Sequence, residues 1–501
     1  MIAGPGTEHA AAGLLLTVDQ GTTNTKALLV DPASGTVLST GSRPVGITFP
    51  APGWVEQDAT QLWDATVEAI GSCLARVPDA RPVGLSISNQ RESVVAWSRT
   101  TGEPLGPVLG WQDARTAEAC GRLAHAADEV RARTGLSLDP MFSAPKMRWL
   151  LDAAIEGGAA PQDVCLGTVD SWLVHRLTGE HLVEAGNASR TLLLDLRSLD
   201  WHEALLDLFG IPASALGQVR RSDAGFGTTR AQGPVPAGVP VVAVLADSHA
   251  ALYHHGCTAP GTGKATYGTG SSVMTPCTTP DAAPAGIATT LAWLTDAPTY
   301  AREGNIVASG SALDWMARTL GVPEGTSGGA YLTALARGLP DAGGVCFVPA
   351  FSGLGAPYWD RSAIGLLSGV TGGTSRGHLA MAALEAVAHQ VADVVEAIEQ
   401  DGSARIDVLH ADGGATASDV LMGLQADLLG RAVLVADAPE ASALGAAALA
   451  ARTLGLPVAA PVPGTPVAPR LAAADRTARR HAWAGAVARS RGQVPPHRAP
   501  G

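Results

Sequence analysis

No two of the six cysteines (Cys73, Cys120, Cys165, Cys257, Cys277 and Cys346) stand in a CxxC or other ligand spacing. A structural zinc site is therefore not expected, and reduced thiols in a core are the plainer reading. Three close histidines, His249, His254 and His255, have no cysteine or carboxylate at matching spacing to change that. Long apolar runs are also missing: none reaches the roughly 18 residues that cross a bilayer. The first nine residues carry no basic region, and Leu14-Leu15-Leu16 is too short for a signal core, so the expected location is cytoplasmic. Positive charge is outnumbered, with 34 Lys and Arg against 46 Asp and Glu and a net charge of -12. That balance argues against nucleic acid or an anionic membrane as main partner. It leaves room for an anionic nucleotide, because backbone amides bind phosphate without net positive charge. What the chain has in quantity is apolar residues, 46% of 501, enough for more than one domain. Its 59 glycines and 34 prolines fall between apolar runs and read as tight turns rather than low complexity.

The order of elements suits α/β architecture. Residues 1–12 read as a disordered lead. Strands are expected over 14–18, 26–30 and 83–88, with Pro32 to Gly35 as a hairpin turn. Leu62, Trp63, Val67, Ile70 and Leu74 have helical spacing and predict a helix over 58–77. A strand is expected over 235–246, and a strand–turn–strand over 258–275 that echoes the opening hairpin. Then follow a helix over 376–400, a strand over 406–410, and helices over 417–429 and 442–454. The expected domains are 13–256 and 257–455, with 456–501 a loosely attached tail rich in Pro and Arg.

Several segments carry chemistry. Asp19-Gln-Gly-Thr-Thr-Asn-Thr-Lys26 puts an acid at a strand end. Gly21 lets a ligand approach, Thr22, Thr23 and Asn24 bring hydroxyls and an amide, and Lys26 adds a cation. The set suits polyphosphate, with Asp19 holding Mg2+; a plain hairpin with a solvated Asp fits equally well. Tyr267-Gly268-Thr269-Gly270 is a second small-residue turn, ordinary alone but paired with the first. Asp412-Gly413-Gly414-Ala415 lies between strand and helix, and admits either a ligand ring or a tight connection. No G-x-G-x-x-G opens a helix there. Arg91 and Glu92 follow a strand, where they could bind hydroxyls from both sides or form an exposed ion pair. Trp111 reads as an aromatic wall or a packed core residue. Asp247 ends a nearly unbroken apolar strand and reads as a general base or a helix N-cap.

Taken in order, these segments resemble the FGGY family of carbohydrate kinases, and glycerol kinases within it most closely. Further matching stretches are Pro52–Asp58, Asn89–Glu92, Gly167–Trp172, Asn187–Arg190, Phe347–Asp360, Gly365–Glu385 and Ala443–Ala447, so the likeness spans about 14–452. It implies two ribonuclease-H-like domains of the actin/hexokinase type, with ATP and acceptor in a cleft that closes between them. It implies Asp247 as catalytic base and Asp19 beside the magnesium. Thr22, Thr23, Asn24, Lys26, Gly268, Thr269, Gly310, Asp314, Gly414 and Ser418 take the nucleotide-contact positions. Asp314 and Ser418 depart from the usual Gln and Asn. The acceptor positions are Arg91, Glu92, Trp111, Met141, Asp247, Ser248 and Ser272. Met141 replaces a Tyr, Ser248 a Gln and Ser272 an aromatic residue.

The expected activity is ATP-dependent phosphorylation of a terminal hydroxyl of a small polyol or sugar. Glycerol is the first candidate. The altered pocket keeps open a tetritol, pentitol or ketopentose. The resemblance also allows a homo-oligomer, dimer or tetramer. A rival class is a nucleotide-switched regulatory protein on the same superfold, since fold alone does not separate the two.

Overall fold

The computed structural model describes residues 13–281, 283–400, 402, 404–436 and 440–492. The expected disordered lead at 1–12 lies outside them. The chain divides into two compact units, and the division is discontinuous. The first unit comprises 1–256, 290–300 and 440–461; the second comprises 257–289, 301–439 and 462–501. The helix Ala441–Thr453 thus belongs with the first unit, although the sequence order groups it with the second.

The first unit is built on a five-stranded sheet. Its order is Val241–Ala246, Gly84–Asn89, Leu15–Gln20, Asn24–Asp31 and Thr36–Pro44. The first three strands run parallel, and Asn24–Asp31 runs antiparallel to both its neighbours, so Thr36–Pro44 points the same way as the first three. Leu15, Leu16 and Val18 are fully buried, as expected of a central strand covered on both faces. The helix Ala59–Leu74 starts where Asp58 accepts the N–H groups of Thr60 and Gln61. It buries Leu62, Trp63 and Ile70. The strand expected from 235 begins only at Val241. Pro236 and Pro240 have no N–H to give a ladder, Gly238 is left-handed at φ 81°, and the segment folds around Thr229 instead.

Register places the site. Gln20 pairs with Asn89, and Asn89 with Ala246. The carboxyl ends of the three parallel strands are therefore level, the position where open α/β sheets bind ligands.

The second unit repeats the motif. Gly261–Tyr267 and Ser271–Cys277 form an antiparallel hairpin. Gly261–Tyr267 also pairs in parallel with Ile406–Asp412, which pairs in parallel with Val433–Val435. The helix Arg376–Glu399 opens with a capping box between Ser375 and His378 and buries Val387, Val391, Val394 and Ile398.

The tail departs from expectation. Residues Ala473–Arg491 form a helix packed on the second unit. Trp483 is 2% exposed, its ring stacks on His389 at 5.0 Å, and its indole N–H donates to Asp393 at 2.7 Å. Arg480 pairs with Asp393 and Glu396. One buried indole and one arginine anchor a segment whose overall composition is that of a solvated linker.

Candidate active site

Asp19 is the penultimate residue of its strand, and burial pushes its carboxyl up to about 6. The Ser88 hydroxyl nearby opposes the rise, the charge of Asp247 adds to it, and Lys26 opposes it again. Lys26 faces Asp19 across the strand pair, but its ammonium bonds both carboxylate oxygens of Glu440, at 2.8 and 2.9 Å. The cation expected at the phosphate tip is thus already matched by an acid from the start of the helix Ala441–Thr453. Thr23 and Asn24 are exposed, and the tip is pinned by the Gly21 N–H donating to the Asn24 carbonyl at 2.9 Å.

Asp247 is the first residue of the helix Asp247–His254 rather than its N-cap. Its side chain is 38% exposed, and the Arg91 guanidinium approaches it at 3.6 Å. Arg91 also lies 4.0 Å from Glu92. Both residues are buried, at 7% and 5% exposure, so they are not an exposed surface pair. Glu92 sits at φ 59°, an uncommon conformation for a non-glycine residue. Ser143 holds it by donating to the Glu92 carbonyl at 3.1 Å.

Trp111 is half-buried and donates its indole N–H to the Thr22 hydroxyl at 3.1 Å, which links the aromatic wall to the phosphate tip. Gln57 donates to the Thr22 carbonyl at 2.8 Å. Met141 and Ser248 are half-buried in the same unit. Ser272 lies in the second unit, on Ser271–Cys277, where Lys264 donates to its hydroxyl at 3.3 Å.

Sequence reading left four supporting residues without a role. Arg190 is fully buried and donates to Glu92 at 2.6 Å. Asn89 and Asn187 exchange side-chain amide bonds at 2.9 and 3.2 Å. Glu184 accepts from the Gly186 and Asn187 N–H groups and the Ser222 hydroxyl, and burial pushes its carboxyl up to about 7. The available signal was the polar run Asn187-Ala-Ser-Arg190 inside an apolar neighbourhood. It marks the segment but does not name the partners.

In the second unit the Tyr267–Gly270 turn meets two glycines. The Gly310 N–H donates to the Gly268 carbonyl, and the Ser309 and Ser311 N–H groups to Thr269. A β-carbon at Gly310 would lie 2.5 Å from the Gly268 oxygen, and one at Gly413 would lie 2.6 Å from the Tyr267 oxygen. Only glycine allows this convergence. Beside it is a cavity of about 440 Å³ walled by Leu313, Ala330, Thr333, Arg337, Gly414 and Ser418. Gly414 and Ser418 line this cavity, whereas Gly268, Thr269, Gly310 and Asp314 do not. The Ser418 hydroxyl bonds Thr333 at 2.6 Å and caps the helix Asp419–Leu429.

The first unit therefore presents a guanidinium between two carboxylates with an indole nearby, an array suited to a polyhydroxylated molecule. The second presents a small-residue cavity that a flat ring could enter.

The profile of the FGGY family of carbohydrate kinases, N-terminal domain, matches residues 14–253, and that of its C-terminal domain matches 263–454. A glycerol kinase from Geobacter sp. is 45% identical over 446 residues, covering 87% of this chain and 89% of that protein. An apulose kinase from Pectobacterium atrosepticum is 45% identical over 450 residues, covering 88% and 90%. Among solved structures, Plasmodium falciparum glycerol kinase with ADP superposes with a TM-score of 0.88 at 26% identity, over 97% of this chain and 99% of that one. Xylulose kinase from Rhodospirillum rubrum gives 0.84 at 28% identity, over 95% and 98%. The two-unit α/β fold of this chain is accordingly the actin/hexokinase-type fold of those kinases. The chain belongs to the FGGY family of carbohydrate kinases, and it is an ATP-dependent phosphotransferase whose acceptor is an alcohol group of a small polyol or sugar.

Proposed function

We propose that the acceptor is glycerol, that it is phosphorylated on a terminal hydroxyl, and that Asp247 is the general base. The observation that carries this reading is the Arg91 guanidinium, 3.6 Å from Asp247 and 4.0 Å from Glu92 at the carboxyl end of the sheet. A short triol can accept from Arg91 and donate to Glu92 while its terminal hydroxyl donates to Asp247. Asp247 then takes the proton as the oxygen attacks the γ-phosphorus of ATP in line, and ADP leaves. Positioning carries most of the rate in such transfers. The glycerol kinase from Geobacter sp., at 45% identity, supports the choice of acceptor.

Mg2+ fits the donor set. Asp19 and Asp247 repel each other enough to help raise the Asp19 carboxyl, and a divalent cation relieves that repulsion. Among the described residues no group of three or more His, Cys, Asp or Glu could hold a metal. One carboxylate, water and phosphate oxygens would complete the shell, as is usual for Mg2+ in kinases. When bound, the ion supplies neutralisation of charge on the phosphoryl oxygens. Among the described residues no helix is long and apolar enough to cross a membrane, and the cysteines stand as thiols rather than disulfides. Cysteines kept as thiols support a cytoplasmic location.

A second reading keeps the chemistry and enlarges the acceptor. Met141 brings no hydroxyl to the pocket and Ser248 is short, and the apulose kinase from P. atrosepticum is as similar as the glycerol kinase. A coupled assay of ADP release with glycerol, erythritol, threitol, xylitol, ribulose and xylulose separates the two. Highest kcat/KM with glycerol supports the first reading, and highest with a four- or five-carbon acceptor replaces it. No stimulation by any acceptor favours a nucleotide-switched regulator. Asp247→Asn should lower kcat roughly 10²–10⁴-fold with ATP KM little changed; near-normal turnover refutes the base.

A further inference from the structure

Lys146 sits in the first turn of the helix Ser143–Glu156 and is 0% exposed. Its ammonium donates to the Met141 carbonyl at 2.6 Å and to the Gly110 carbonyl at 3.1 Å. Lysine is almost never fully buried unless paired with a carboxylate. Here both acceptors are neutral main-chain oxygens, and two of three ammonium hydrogens reach them. Burying a charge this way is costly, and a methionine would fill the same volume without that cost.

The location gives the burial a purpose. Gly110 precedes Trp111, and Met141 is itself an acceptor-side residue. Three residues along the chain from Lys146, Ser143 donates to the Glu92 carbonyl at 3.1 Å. One helical turn therefore holds the main chain of three separate segments: Glu92 through Ser143, and Gly110 and Met141 through Lys146.

We propose that Lys146 is a positioning residue that sets the width of the acceptor site by tying the Gly110 and Met141 carbonyls to one cation. The inference rests on the acceptor site assigned above. Charge-assisted bonds are short and directional, so they hold the two segments at a fixed separation. Without the cation the carbonyls separate, Trp111 and Met141 lose their common anchor, and a longer acceptor gains room.

The test compares wild type, Lys146→Met and Lys146→Arg in the full chain, with glycerol and xylitol as acceptors. In Lys146→Met the glycerol KM should rise about 10–100-fold, the range expected for losing hydrogen bonds to a charged group. Its kcat should change less than about threefold, its ATP KM should hold, and the glycerol-to-xylitol ratio of kcat/KM should fall. Lys146→Arg, which keeps a cationic donor, should fall between. An unchanged ratio in a folded Lys146→Met, or an equal loss in every parameter, overturns the proposal. If Lys146→Met does not fold, the wild-type pH profile decides. Burial pushes the ammonium down to about 8, with Glu92, Asp113, Asp139 and Cys120 facing it and pulling it back up. Glycerol KM should then rise above about pH 8 while ATP KM does not, and a flat glycerol KM from pH 7 to 9 overturns the proposal. Absence of turnover in wild type with every acceptor would sink the assigned function itself, whereas normal turnover with unaltered selectivity sinks only the role of Lys146.

Discussion

A carboxylate at the end of a buried strand answers to two opposing demands. To hold the proposed Mg2+ Asp19 must be ionised, yet burial raises its carboxyl from 3.8 to about 6. The sign follows from proton counting. Between about pH 4 and pH 6 the folded state binds more protons at this site than the unfolded chain, so the site's contribution to stability falls as pH rises through that window. Metal affinity runs the other way. The Mg2+ concentration for half-maximal activity should increase roughly tenfold between pH 7 and pH 5, as protons compete for the carboxylate; Asp19→Asn should abolish that pH dependence in a Mg2+ titration. Arg190 shows the reverse case, a buried cation whose value lies in its partner. Arg190→Met leaves the Glu92 carboxylate buried without the ion pair at 2.6 Å, at a cost of about 3–5 kcal/mol. Thermal unfolding should register that loss, and glycerol KM should rise with it. Arg91 and Glu92 were legible as a pair because they are adjacent. Arg190 was not, because its partner lies 98 positions away and no local pattern announces it.

Elements bring the same distinction to a larger scale. The helix Ala441–Thr453 packs on the helix Asp247–His254 so closely that a β-carbon at Gly445 would lie 1.9 Å from the Ala250 carbonyl oxygen. Backbone cannot give way as the end of a flexible side chain can. Gly445→Ala should therefore destabilise by about 1–3 kcal/mol, as overpacking does. Because the displaced helix begins with Asp247, kcat should fall as well, and calorimetry with steady-state kinetics on the same preparation tests both. The helix itself was readable from Ser442 to Leu454, and the observed bounds differ by one residue at each end. Local signals also sufficed at Asp58, whose cap starts its helix. They failed at 235–240, where apolar residues suggest a strand but the proline and glycine backbone cannot join the ladder.

At the scale of the whole molecule, chain order and spatial grouping part company. Residues 290–300 and 440–461 return to the first unit, and the C-terminal helix Ala473–Arg491 completes the second. Ending the chain at residue 471 would remove Trp483 from the core and leave Asp393 without Arg480. Loss of one buried tryptophan alone costs about 3–5 kcal/mol. Truncation should therefore lower the unfolding temperature by several degrees or more, and proteolysis should cut first in the second unit. A full-length Trp483→Ala variant should show a smaller loss in the same direction; an unchanged melting temperature in the truncated chain would return the tail to the status of a loose appendage.

Sequence alone determined the family, the strands whose ends carry chemistry, the two glycine turns, and the acids at 19 and 247. Each of these is written in residues close together in the chain, where periodicity, capping and turn chemistry act. Tertiary structure decided what those groups meet: Lys26 matched by Glu440, Glu92 held by Arg190, and Lys146 spanning two carbonyls. The reason is physical. A buried charge must find its partner across space, and the energy of that match depends on distance and desolvation, which no one-dimensional pattern records.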